Sequence, residues 1–177
     1  LTFVGLIHTD MQSFYNANAW RYSKILKQAL PDLQREFDRF PRWLWINNNQ
    51  YKIQSSGTWH FVPFLGKGRK YWPYLWFFPT VRRLLKELPI VDNCVFSIMG
   101  ANSTIPAHGG HSGDHLRVHL GINTDGQAWI RVGQDRRHWH TGEVIIFDDR
   151  LDHETANPSD QKRVVLLFDI ASKDYND

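Results

Sequence analysis

A single cysteine, Cys94, rules out any disulfide within the chain. It sits in an apolar run, which reads as a buried thiol in a reducing compartment, so a cytoplasmic setting is expected. Low-complexity tracts and internal repeats are absent. No apolar stretch is long enough to span a bilayer: Phe3-Val4-Gly5-Leu6-Ile7 is too short for that or for the core of a signal peptide. Strong charge of one sign is also missing, and a formal net charge of +3 is too mild to imply nucleic acid. The basic run Gly66-Lys67-Gly68-Arg69-Lys70 lacks the spacing of a phosphate-binding loop and reads as a solvated hairpin tip. What remains is 177 residues, 42% of them hydrophobic and 14% aromatic, which fits one globular domain with a substantial core.

Histidine is concentrated in one place. His108, His111, His115 and His119 fall within twelve residues, and His153 follows in a polar loop between two apolar runs. The four-residue spacing of His111, His115 and His119 would align them on a helix, where they could hold zinc. Gly109, Gly110 and Gly113 oppose a helix, each costing about 1 kcal/mol relative to alanine. Residues 115–122 instead alternate polar and apolar, which predicts a strand with Arg117 and His119 on one face. His108 then lies before it in a glycine-rich turn, and His153 is the best partner ligand. Arg163 opens a strong apolar strand ten residues after His153.

Residues 94–170 resemble the aspartyl/asparaginyl β-hydroxylase family in Phe96-Ser97-Ile98-Met99, the turn before His108, Leu116-Arg117-Val118-His119-Leu120-Gly121, Ile146-Phe147-Asp148-Asp149 with His153-Glu154, and Arg163. That resemblance implies a mainly β fold with flanking helices, a double-stranded β-helix of the jelly-roll, cupin-like kind. It also implies an Fe(II)- and 2-oxoglutarate-dependent dioxygenase. Carried over by position, His108 and His153 are the catalytic metal ligands. Ser97, Arg117, His119 and Arg163 hold 2-oxoglutarate, with Arg163 on its distal carboxylate, and dioxygen is the other reactant. The chemistry agrees, since neutral imidazoles suit Fe(II) and a planar guanidinium grips a carboxylate through two parallel hydrogen bonds. Ordinary histidines, titrating near pH 6.5, predict metal loss below roughly pH 6.

One residue of the usual two-histidine, one-carboxylate triad is missing: the position two after His108 is Gly110. A water or a more distant acid such as Asp114 could take that coordination position, and chloride there would allow halogenation. His111 and His115 are placed beside the metal as substrate contacts, Trp59 at the substrate entrance, and Asp148 and Asp149 as caps of the turn before His153. The expected substrate is a peptide or amino acid hydroxylated at an aspartyl or asparaginyl β-carbon. Animal members carry an arginine where this chain has His115, which weakens one anion contact, while Val132-Gly133-Gln134-Asp135 with Arg137-His138-Trp139 resembles members that hydroxylate a lipid acyl chain. A metal- or ligand-binding barrel without catalysis is the reading from another class.

The remainder reads as support. A helical period runs from Ala17 to about Phe40, divided at Pro31. A short helix follows Thr80 as N-cap and stops before Pro89. Strands are predicted at 94–99, 115–122, 128–132, 137–141, 143–147 and 163–170, so residues 1–93 form a helical, aromatic-rich support region and 94–170 the core. Lys173 to Asp177 are expected to fray.

Overall fold

The computed structural model describes residues 12–48, 56–110 and 113–175. In chain order the elements are β1 (Phe14–Tyr15), α1 (Ser23–Gln28), α2 (Leu30–Arg39), β2 (Ile46–Asn47), β3 (Trp59–Gly66), β4 (Arg69–Lys70), α3 (Trp72–Phe77), α4 (Pro79–Glu87), β5 (Ile90–Met99), β6 (Ser103–His108), β7 (His115–Asn123), β8 (Asp125–Val132), β9 (Asp135–His140), β10 (Val144–Phe147), β11 (His153–Asn157) and β12 (Arg163–Ala171). The larger sheet runs β1-β10-β7-β12-β5-β3-β2, with β4 paired to β3, and the smaller runs β6-β11-β8-β9. This is the expected jelly roll.

Alternation along the strands divides the core in two. Phe96 and Ile98 of β5, Leu116, Val118 and Leu120 of β7, and Val164, Leu166 and Phe168 of β12 face outward from the larger sheet and pack on Leu33, Phe37, Leu75, Phe78 and Leu84 of the helices. Each such side chain, fully buried, contributes about 1.5–3 kcal/mol. The residues between them point into the sandwich, where Val165, Ile145 and Phe147 meet Ala128, Ile130, Val132 and Trp139 of the smaller sheet. Ser97, Met99, Arg117, His119 and Arg163 share that inward parity, so polar groups are delivered to a cavity with apolar walls.

The N-terminal helices differ in detail from the periodicity. Pro31 is the second residue of α2, where its missing N–H is tolerated, so the break falls at Ala29. Residues 16–22 turn rather than coil, closed by Ala19 N–H to Asn16 O at 3.0 Å and Ser23 N–H to Trp20 O at 3.0 Å. Thr80 is not the cap of α4; Phe78 holds that position without a side-chain bond. The Glu36 carboxylate of α2 instead accepts from the Thr80 N–H at 3.0 Å and the Thr80 hydroxyl at 2.6 Å, satisfying the helix start from a neighbouring helix.

The core also begins earlier than residue 94. β3 pairs with β5 from Trp59 opposite Met99 to Leu65 opposite Cys94. Its two faces are both largely covered, so it shows no alternation, and Pro63 sits where β2 has ended and no donor is required. Cys94 is buried, as its apolar run implied, and burial pushes its thiol pKa up. The C-terminal turn does not fray through its whole length. Ser172–Tyr175 form a 3-10 turn, the Asp174 carbonyl accepts from Trp20 Nε1 at 3.3 Å, and the Tyr175 ring meets Tyr15 edge-on at 5.1 Å. Residues 176 and 177 lie outside the described residues.

Candidate active site

Neither metal-ligand candidate sits in a loop. His108 ends β6 and His153 opens β11, directly opposite each other in the pairing. Normal alternation would turn His108 away from His153, since Ile105 and Thr155 already share the inward face. One extra residue between Ile105 and His108 corrects this: the register steps from Thr155 opposite Ile105 to His153 opposite His108. Such a bulge re-aims a side chain, and Pro106 fits there because no ladder donor is needed.

The two rings are 4.3 Å apart between centroids. His108 Nδ1 donates to Pro106 O at 2.8 Å and His153 Nδ1 to Leu151 O at 2.9 Å. Each Nδ1 is thereby the protonated nitrogen, which leaves Nε2 as the lone pair for a metal. Burial lowers the His153 pKa to about 4, below the ordinary histidine value on which the expected limit near pH 6 rests. Among the described residues no group of three or more His, Cys, Asp or Glu side chains is placed to hold a metal, and His108 with His153 is a pair.

His119 stands deeper, stacked on Trp139 at 5.7 Å and edge-on to Phe147 at 5.0 Å. Neither ring nitrogen has a hydrogen-bond partner. Burial, followed by the charges of Arg163 and Arg117, holds its pKa well below the usual histidine value. It is a neutral, unpaired hydrogen-bonding group beside two cations.

Arg163 is 2% exposed. Its Nη1 reaches the Ser97 hydroxyl at 3.3 Å, its guanidinium carbon lies 4.5 Å over the Trp139 ring, and Nε has no partner. Among the described residues it makes no ion pair. Burial lowers its pKa to about 9. Trp59, read as an entrance residue, instead donates from Nε1 to the Ser97 hydroxyl at 3.0 Å and so supports the Arg163 contact. A buried guanidinium, a hydroxyl and an unpaired imidazole, all without an anion, make a carboxylate-shaped requirement.

Arg117 is in the opposite condition. Its Nε and Nη2 bind Asp169 at 2.8 and 3.1 Å, and its Nη1 meets Asp149 at 2.9 Å. Burial works to lower its pKa and the two carboxylates overcome that, so it titrates above its ordinary value. All three nitrogens are engaged, and Nη1 holds Asp149. That position matters, because a Cβ on Gly110 would overlap the Asp149 carbonyl oxygen and lie 2.7 Å from its carboxyl carbon. A side chain at position 110, two residues after His108, therefore has no room beside Asp149. Asp148 accepts from Arg150 N–H at 3.0 Å and pairs with its guanidinium, closing the turn before His153.

His115 is half-buried at the start of β7, on the same inward parity as Arg117. His111 lies outside the described residues. His138 and His140 are exposed on β9, and His60 packs on Trp45. Sequence reasoning gave no role to Trp139, the floor beneath both His119 and Arg163. Its signal was a lone buried apolar residue in the exposed strand Asp135–His140.

A family model described as aspartyl/asparaginyl β-hydroxylase matches residues 21–173. The chain belongs to the aspartyl/asparaginyl β-hydroxylase family. Within it, an ornithine lipid ester-linked acyl 2-hydroxylase of Rhizobium tropici is 27% identical over 166 residues, covering 88% of this chain and 59% of that protein. The human aspartyl/asparaginyl β-hydroxylase is 26% identical over 124 residues, covering 67% of this chain and 16% of that protein. The chain thus spans less than two thirds of the length of each of these relatives. A 2OG-Fe(II) oxygenase family protein of Burkholderia pseudomallei has the same fold, with a TM-score of 0.60 at 12% identity over 82% of this chain and 79% of that one. Among the described residues of this β-hydroxylase-family chain, no helix is long and apolar enough to cross a membrane.

Proposed function

We propose that this chain is an Fe(II)- and 2-oxoglutarate-dependent dioxygenase that hydroxylates an unactivated C–H bond. The observation that carries the reading is Arg163, a buried cation with no carboxylate partner among the described residues. A pure metal binder has no use for it. The residues fit the implied groups: His108 and His153 present two free Nε2 positions for Fe(II), and Arg163 with Ser97 receives the distal carboxylate of 2-oxoglutarate. When bound together with dioxygen, that pair supplies the oxidising chemistry. The chain's own part is placement. His119, neutral and lodged between Trp139 and Phe147, offers a hydrogen bond to the cosubstrate. Arg117 fixes Asp149 against Gly110, two residues after His108, and the wall of Ile130, Val132, Ile145 and Val165 keeps water out.

The substrate reading that follows the family is the β-carbon of an aspartyl or asparaginyl residue, or a related amino acid. A lipid acyl chain is the second reading, favoured by one observation. Both arginines at the histidine end are already neutralised, Arg117 by Asp169 and Asp149 and Arg150 by Asp148, which leaves little to attract an acidic side chain.

Anaerobic titration with Fe(II) and then 2-oxoglutarate tests the cofactor reading through the weak visible charge-transfer band of the chelate. The wild type should give the band, and alanine at His108, His153 or Arg163 should remove it. A folded wild type with no band would leave a non-catalytic barrel. Succinate release with an aspartyl peptide against an acyl lipid then separates the substrates.

A further inference from the structure

Outside the cavity, the largest unexplained feature is a set of exposed tryptophans. Trp43 and Trp76 are each 81% exposed and Trp72 is 55% exposed, with Phe77 half-exposed among them. Trp72, Trp76 and Phe77 line one surface, and the Tyr74 hydroxyl reaches Leu44 O at 3.4 Å, which brings the turn that carries Trp43 alongside α3. Leaving such rings in water is unfavourable, and the helices bury other aromatics completely.

The hairpin side of this patch is cationic. From Gly66 to Lys86 the chain carries Lys67, Arg69, Lys70, Arg82, Arg83 and Lys86, of which Arg83 pairs with Glu87, and the acids Asp32 and Glu36 lie on the far side of Phe77. The hairpin β3–β4 turns tightly through Lys67 and Gly68, both at positive φ, and projects Lys67, Arg69 and Lys70 into solvent. Lys70 lies 6.0 Å over the Trp72 ring. Amphipathic tryptophan rings bordered by lysine and arginine match the headgroup region of an anionic bilayer, where the rings settle among the headgroups and the cations meet lipid phosphates.

The hairpin is also tied to the active site. Lys67 N–H donates to Asp92 at 2.9 Å, the neighbouring Asn93 donates to Asp169 at 2.6 Å, and Asp169 holds Arg117. These bonds run across one end of the larger sheet over three strand spacings, about 15 Å. A surface that seats the hairpin therefore lies at the end of the sheet where Arg117 holds Asp149.

We infer that the Trp43–Trp72–Trp76 face with its Lys67–Lys70 rim docks this chain on an anionic membrane surface. The inference stands on this surface alone, and failure of the hydroxylase reading would leave it untouched.

The test is flotation of the full chain with vesicles of mixed phosphatidylglycerol and phosphatidylethanolamine, against phosphatidylcholine vesicles. Wild type should float with the anionic vesicles only, with quenching of its tryptophan fluorescence by brominated acyl chains. The double variant Trp72→Ala, Trp76→Ala should lose about tenfold in partitioning per ring. The triple variant Lys67→Gln, Arg69→Gln, Lys70→Gln should lose on the order of 100-fold, at about fivefold per charge, and salt that shortens the Debye length to about 3 Å should have the same effect on wild type. All substituted side chains are exposed, and unchanged circular dichroism would confirm folding. Wild type that floats with neither vesicle overturns the inference. Binding that persists in both variants does so too, as does a wild-type dimer that the tryptophan variant converts to monomer in the absence of vesicles, which would assign the face to a second copy of this chain.

Discussion

Replacing Arg163 with methionine should make the empty protein more stable and abolish its response to 2-oxoglutarate. The fall of the Arg163 pKa from 12.5 to about 9 corresponds to about 5 kcal/mol against holding the charge in the cavity. That figure is an upper bound, because the substitution also removes the long contact to the Ser97 hydroxyl at 3.3 Å and the contact with the Trp139 face. Those are together about 2–4 kcal/mol. The net gain for Arg163→Met is then about 1–3 kcal/mol, which raises the unfolding midpoint by about 3–9 °C for a domain of this size. Wild type under nitrogen with Fe(II), given 2-oxoglutarate at about a hundredfold its Kd, should gain about 2.7 kcal/mol by mass action, and the variant nothing. Differential scanning fluorimetry therefore should show the two proteins change order: variant higher without cosubstrate, wild type level or higher with it. A variant that melts below wild type when empty and still shifts with 2-oxoglutarate would refute the assignment of Arg163 as an uncompensated clamp.

Gly110→Asp, the substitution that restores the usual triad on paper, should destabilise by more than about 3 kcal/mol because its Cβ overlaps the Asp149 carbonyl, and it should not tighten Fe(II) binding; a stable, tighter-binding variant would show that the turn yields. Stability of the metal-free protein should fall with pH between 6.5 and about 4. Over that range the unfolded chain gains protons that buried His153 and His119 refuse, so their contribution, intact above pH 6.5, is lost on acidification, by about 3 kcal/mol for His153 alone. A melting midpoint that stays level from pH 7 to pH 4.5 would contradict it, and His153→Gln should flatten the slope. Glu36→Ala should cost about 1 kcal/mol through the start of α4, read as a lower melting midpoint with an unchanged chelate band.

Residues 115–122 were legible as a strand because a period of two survives there, and 163–170 because Val164–Phe168 is an unbroken apolar run. Three other strands were not. Trp59–Gly66 offers only a run of aromatics interrupted by Pro63, and His153–Asn157 reads as polar because its inward residues are His153, Thr155 and Asn157 rather than hydrophobes. The same polarity hid Ser103–His108. There the decisive feature is a single inserted residue, and a bulge that turns His108 toward His153 has no periodic signature to detect.

The two arginines mark the other boundary of what a sequence carries. Arg117 and Arg163 both stand at inward positions of neighbouring strands, and both read as cosubstrate clamps. What separates them is register. β12 runs antiparallel to β7 with Asp169 opposite Arg117, so the acid six residues along the same strand from Arg163 neutralises its neighbour's arginine and leaves Arg163 bare. Shifting that pairing by two residues would preserve every alternation and carry Asp169 away from Arg117. The charge that can bind a ligand is thus chosen by strand alignment, which depends on the bulges and turns of the whole sheet, and not by any local pattern around either arginine.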